Sequence, residues 1–102
     1  MKNIYVLVKF KLNNENLIED WKKMSDEITE DLKKVEWFIF RDSAVDKEWY
    51  VYCIVKWESA EHQKTFEKHF HEVFLKENPE VMDEFARLWN METMKKEYLE
   101  VL

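Results

Sequence analysis

The chain contains no glycine, and that one absence removes several functions at once. Phosphate-cradling loops, the dinucleotide fingerprint and the nucleophile elbow all need a backbone approach that only glycine permits. Cysteine is nearly as scarce. Cys53 stands alone, which excludes an internal disulfide and any metal site built from thiolates. It lies within Trp49-Tyr50-Val51-Tyr52-Cys53-Ile54-Val55, where a thiol behaves as a small hydrophobe, and no His or Arg neighbours it in sequence to activate it. That run of seven residues is also the longest apolar stretch, far short of the ~20 that span a bilayer, so no membrane partner is expected. Near the start, Ile4 to Val8 is cut off at Lys9, too short for a signal peptide, and a cytoplasmic location is expected. A basic excess is missing as well: 16 Lys and Arg face 22 Asp and Glu, for a formal charge of −6. Such a balance repels phosphate backbones, so no nucleic acid partner is expected.

What the chain has is length for one domain, read as residues 1–102, and many aromatics: five Trp, four Tyr and seven Phe. Ile4, Val6, Val8, Phe10 and Leu12 alternate with Tyr5, Leu7, Lys9 and Lys11, the period of a strand. Asn13 and Asn14 then offer capping side chains, with Glu15 and Glu19 near the positive end of a helix. Leu17, Trp21, Met24, Ile28, Leu32 and Val35 recur at three- and four-residue spacing, which predicts a long amphipathic helix. Trp37 to Phe40 reads as a second strand and Trp49 to Trp57 as a third, joined across polar Arg41 to Glu48 as a hairpin. Ser59 caps a second helix whose inner face carries His62, Phe66, His69, Phe70 and Val73. Asn78-Pro79 restarts the chain as a third helix striped by Val81, Met82, Phe85, Leu88 and Trp89, and Glu97 to Leu102 closes as a short strand. The order β-α-β-β-α-(α)-β is the ferredoxin-like α+β arrangement, with an antiparallel sheet.

This order puts the helices on one face of the sheet, so the other should be polar if it meets water. It is not. The third strand sets Val51, Cys53 and Val55 against Tyr50, Tyr52 and Ile54, and the second sets Trp37 and Ile39 against Phe38 and Phe40. At ~25 cal/mol per Å² such a surface represents many kcal/mol left uncovered. A second copy, sheet against sheet, would cover it and make a homodimer; the competing cover is the Pro79 helix folding back across the open face.

The segment Val55-Lys56-Trp57-Glu58-Ser59-Ala60-Glu61, joining third strand to second helix, resembles the antibiotic biosynthesis monooxygenase-like family of dimeric α+β barrels. The opening Val6-Leu7-Val8-Lys9-Phe10-Lys11-Leu12, the Trp-bearing first helix and the closing Glu97-Tyr98-Leu99-Glu100-Val101 fit the same pattern. The resemblance implies a barrel completed by a second copy and an oxidation without metal or organic cofactor. There an electron-rich phenol or quinol loses a proton and itself gives an electron to dioxygen. Lys33-Lys34-Val35-Glu36 stands where the family often has glycine. The Asn, Trp and His that haem-degrading members use have no counterparts near Val8, at Phe66 or at Lys76, so haem chemistry is not carried over.

A cofactor-free oxidation needs a dry aromatic pocket, a proton acceptor and a dipole for the developing oxyanion. Trp21, Trp57, Phe66, Phe70, Phe85 and Trp89 are the pocket candidates for a small aromatic ligand; filling the core is the alternative, and the commoner role for any one of them. His69 is the candidate base, on the inner stripe with Phe66 and Val73; a boundary histidine bonded to a carbonyl is the alternative. His71 points away from His69 on a regular helix, so the pair chelates no ion, and no metal site is expected. Tyr5, Tyr50, Tyr52 and Lys56 share the opposite strand face, where Lys56 either stabilises an oxyanion or simply reaches water.

Overall fold

The computed structural model describes residues 2–102. Strand β1 (Ile4–Leu12) leads through a single 3₁₀ turn, Glu15–Leu17, into helix α1 (Ile18–Leu32). Strands β2 (Phe38–Val45) and β3 (Tyr50–Trp57) follow as a hairpin, then helix α2 (Ala60–His69), helix α3 (Pro79–Leu88) and strand β4 (Trp89–Glu100). The sheet has four strands in the order β2-β3-β1-β4, every pair antiparallel. This is the expected ferredoxin-like α+β fold, with β1 and β3 at the centre. Among the described residues no helix is long and apolar enough to cross a membrane.

One face of the sheet carries the core. Phe10, Val51 and Cys53 meet Trp21 of α1 and Leu88 of α3 in one buried cluster. Ile4, Val6 and Trp57 meet Leu32 in the other. The stripe Leu17, Trp21, Met24, Ile28, Leu32 and Val35 all packs into these clusters, as the spacing predicts. Phe85 and Leu88 of α3 pack there too, beside Phe10 and Trp21, so α3 does not cover the open face. That face displays Tyr5, Leu7, Tyr50, Tyr52 and Ile54, each half-buried, with Phe40 and Leu99 exposed.

Several boundaries differ from the sequence expectation, each for a local reason. β2 is not confined to Trp37–Phe40. It runs to Val45, because Arg41 and Ser43 alternate inward and find polar partners under α1. A bulge at Ile39 shifts its register: Phe38 opposes Trp57 while Phe40 opposes Lys56. Phe38 therefore joins the core and Phe40 the open face, although two residues apart they would otherwise share a side. The turn narrows to Asp46–Trp49, where the Asp46 carboxylate accepts from Glu48 N and Tyr50 N at 2.9 Å and from the Tyr52 hydroxyl at 2.9 Å.

The last strand is twice the length expected and takes Trp89 out of the helix. α3 ends at Leu88 because Asn13 caps it from across the sheet. Asn13 N donates to the Leu88 carbonyl at 2.8 Å, and Asn13 Nδ2 donates to the carbonyls of Ala86 and Arg87 at 3.0 and 2.9 Å. A chain without glycine has no local left-handed stop and uses this distant one instead. Trp89 is already extended, at φ −92 and ψ 133. Opposite β1, the segment between Asn90 and Lys95 bulges, and Thr93 Oγ1 accepts from Lys11 N at 2.8 Å.

Ser59 caps α2 as expected, its Oγ accepting from His62 N at 3.2 Å. The helix then loosens into a π turn, Phe70–Phe74, before continuing through Leu75–Glu77. Asn78 does not cap α3 with its side chain. It donates Nδ2 back to the Phe74 carbonyl at 2.9 Å, closing the preceding segment instead, while Pro79 takes the first helical position of α3.

Candidate functional site

A cleft of about 400 Å³ opens between α1 and the edge strand β2, within the usual range for a small-molecule site. From α1 come Ile18, Trp21, Ser25 and Thr29, with Lys22 and Asp26 at the outer rim; from the sheet come Arg41, Ser43 and Val51. Trp21, Ser25 and Thr29 follow each other at four-residue spacing, which lines them along one face of the helix. Strand alternation sets Arg41 and Ser43 beneath them, opposite Val55 and Cys53.

Arg41 forms the floor at 9% exposure. Its Nη1 donates to Ser25 Oγ at 2.6 Å, to the Ser25 carbonyl at 3.1 Å and to Thr29 Oγ1 at 3.1 Å. Its Nη2 reaches Cys53 Sγ at 3.5 Å, and its guanidinium lies 5.9 Å from the Trp21 ring centre. Trp21 Nε1 donates to Ser43 Oγ at 3.2 Å, which pins the indole as the cleft wall. Burial pushes the Cys53 thiol up, and the opposing pull of Arg41 and Ser43 does not reverse this. Cys53 is therefore a neutral thiol with an arginine beside it in space, though none stands beside it in sequence.

The six aromatic candidates fall into two groups. Trp21, Phe85 and Trp89 come together around Phe10: Trp89 stacks on Phe10 at 4.0 Å, with Trp21 at 5.6 Å and Phe85 at 4.9 Å from its ring. Trp57 meets Phe66 at 4.8 Å, and Phe66 stacks on Phe70 at 5.9 Å. Of the six, Trp21 alone lines the cleft. Trp89 Nε1 is buried without an acceptor among the described residues.

His69 is exposed, a correction to the inner-stripe expectation. Gln63 is the residue of α2 that buries, with Phe66 and Phe70 beside it, so the helix is turned by about a quarter rotation from a His62–His69 stripe. Gln63 is held inward because its Nε2 donates to Glu67 Oε2 at 2.9 Å, and Glu67 in turn accepts from Lys96 Nζ at 2.7 Å and from the Tyr98 hydroxyl. Burial alone would raise the Glu67 carboxyl, but these donors outweigh it and hold it at about 2. His62 stacks on Trp37 at 4.6 Å.

On the opposite face, Tyr5, Tyr50, Tyr52 and Lys56 do share a side, as alternation requires. Tyr5 pairs with Lys56 across β1 and β3, with Nζ 5.4 Å from the ring centre. Lys9 sits over Tyr50 at 4.2 Å.

Arg41, Ser25, Thr29 and Ser43 were not singled out from the sequence. Arg41 and Ser43 belonged to a stretch read as a polar connection. The available signal was their two-residue spacing, in phase with a strand, facing a Trp-x-x-x-Ser-x-x-x-Thr row on the preceding helix.

No protein-family model and no curated protein matches the chain. Solved structures do. A candidate antibiotic biosynthesis monooxygenase of Nitrosomonas europaea superposes with a TM-score of 0.72 at 12% identity, covering 100% of this chain and 93% of the other. A Bacteroides thetaiotaomicron protein of unknown function, described as a candidate oxidoreductase, gives 0.69 at 20% identity, covering 98% of each. A dimeric ferredoxin-like protein from an uncultured marine organism gives 0.63 at 18%, covering 100% and 95%. The chain thus has, over nearly its whole length, the ferredoxin-like fold found in candidate antibiotic biosynthesis monooxygenases, the fold that its strand-to-helix junction at Trp57 resembles.

Proposed function

We propose that this protein is a homodimeric α+β barrel that takes a small aromatic molecule into the α1–β2 cleft and oxidises it with dioxygen, without metal or organic cofactor. The observation that carries the reading is the cleft itself: about 400 Å³, walled by Trp21 and floored by Arg41. The buried cation orders a ligand's polar end, and the buried indole behind it backs the cleft. The fold likeness to candidate monooxygenases supports the choice of reaction class. A hydroquinone and dioxygen become a hydroxyquinone and water, so the substrate supplies all the electrons and no outside reductant is required. Asp26, the carboxylate on the helical rim, is one of two lining carboxylates able to take the phenol proton, with Asp42 on β2 the other. The open sheet face, with Leu7, Ile54, Phe40 and Leu99, supports self-association, as does the dimeric neighbour.

Oxygen uptake tests the reaction. With a panel of hydroquinones in metal-free buffer, wild-type protein raises consumption above the buffer blank, Asp26→Asn lowers it, and His69→Ala, being exposed, leaves it unchanged. Uptake that never exceeds the blank overturns the reaction and leaves a second reading, a non-catalytic barrel that binds the same ligands. One observation favours that second reading: no imidazole lines the cleft.

A further inference from the structure

We propose that Arg41 makes the α1–β2 cleft a receptor for the carboxylate of a small aromatic acid. This rests on the reading that the cleft takes a small aromatic molecule, and it specifies the class.

Removing a guanidinium from water is costly unless a counter-charge accompanies it. Arg41 is 9% exposed, yet its partners are all neutral: a carbonyl, two hydroxyls and a thiol. Among the described residues no carboxylate lies within ion-pair distance of it. A guanidinium carries five N–H donors. Here Nη1 is fully engaged and one Nη2 hydrogen is directed at Cys53, which leaves Nε–H and one Nη2–H without a protein acceptor. Those two donors sit on neighbouring nitrogens, the arrangement that donates to both oxygens of a planar carboxylate. The residue is held in place before any ligand arrives, because Ser25 and Thr29 fix Nη1 from the helix above.

A carboxylate fits better than a phosphate. Lys22 is the other cation on the lining, but it lies at the exposed rim, paired with Glu19 at 3.1 Å. Asp26 and Asp42 also line the cleft, and their charges disfavour a dianion more than a monoanion. One rigid fork at the floor selects a planar acid that enters carboxylate first. Its phenol end then lies toward the rim, where Asp26 stands.

Titration calorimetry with wild-type protein at neutral pH and low salt decides the matter, using para-hydroxybenzoate, its neutral amide para-hydroxybenzamide, hydroquinone and inorganic phosphate. The acid should bind about tenfold or more tighter than the amide, the margin expected of charge-assisted bonds, with phosphate weaker than either. Arg41→Gln should bring acid and amide to the same affinity, and Arg41→Lys should restore only part of the difference, since the charge returns without the fork. Equal affinity for acid and amide overturns the carboxylate assignment and leaves the aromatic reading standing. Phosphate binding as tightly as the acid overturns the selection for a planar anion. Failure of acid, amide and hydroquinone alike overturns both readings.

Discussion

Strand β3 presents two faces of similar apolar character to very different surroundings. Val51, Cys53 and Trp57 on one side are 1–5% exposed beneath the helices. Tyr50, Tyr52 and Ile54 on the other are half-buried, and their flanks Phe40 and Leu99 are 36% and 45% exposed. Strand propensity accounts for both sets, since β-branched and aromatic residues suit a pleated surface whichever way they point. What separates them is cover. The helical face is finished within one chain, and the open face has no helix of this chain over it.

The sharpest way to break that contrast is to remove one large side chain from the finished face. Trp57→Ala leaves a cavity between Ile4, Phe38 and Phe66, and the expected loss is about 3–5 kcal/mol of unfolding free energy, read by urea titration. A loss under about 1 kcal/mol would mean that this end of the core is loosely packed and that the two faces differ less than their burial suggests.

The matching change on the open face is Ile54→Lys. In a dimer joined sheet to sheet, it places two copies of an uncompensated charge near the symmetry axis, at a cost of several kcal/mol to association. Sedimentation at micromolar concentration should then show the wild-type dimer replaced by a folded 12.7 kDa particle. A wild-type protein that sediments as a monomer would remove self-association from the proposed function, while leaving the cleft and its ligand untouched.

How much of this was legible beforehand follows the same division. The helical stripe from Leu17 to Val35 and the alternation of β1 are local patterns, so elements and core could be read directly. The end of α3 could not, because its stop is Asn13, more than seventy residues earlier in the chain. Nor could the phase of α2, since Gln63 turns inward through Glu67 and its partners on β4, a polar arrangement that an apolar stripe does not announce. Arg41 was hidden for the opposite reason. A charged residue in a polar run reads as solvent-facing, and only the register of β2 against β3 brings it under the helix.

The Glu67 cluster, which ties α2 to β4, gives the next effect in size. Its folded pKa of about 2 lies below the model-peptide value near 4.3, so its stabilisation is complete above that higher value. The stabilisation is lost as pH falls from there toward 2, because protonation in the unfolded chain comes first. The pair with Lys96 is only partly shielded, at 30% and 31% exposure, so the contribution is expected at roughly 1 kcal/mol or less. Stability measured between neutral pH and pH ~3 should fall less steeply in Glu67→Gln than in wild type. Parallel curves would show that Lys96 and Tyr98 contribute geometry to this junction without charge.

The smallest expected effect lies at the hairpin, where the missing glycine has a visible consequence. Trp49 adopts φ 67, the left-handed region, and it is the one described non-glycine residue with positive φ. An L-residue there costs roughly 1–2 kcal/mol, whereas glycine enters freely but loses about 0.5–1 kcal/mol more chain entropy on folding. Trp49→Gly should therefore gain a few tenths of a kcal/mol, provided that the indole, at 41% exposure, contributes little packing. Chemical denaturation reads the sign. A gain means that the strain is tolerated only because Asp46 holds the turn through Glu48, Tyr50 and Tyr52. A loss above about 1 kcal/mol means that the Trp49 ring packs usefully at the hairpin.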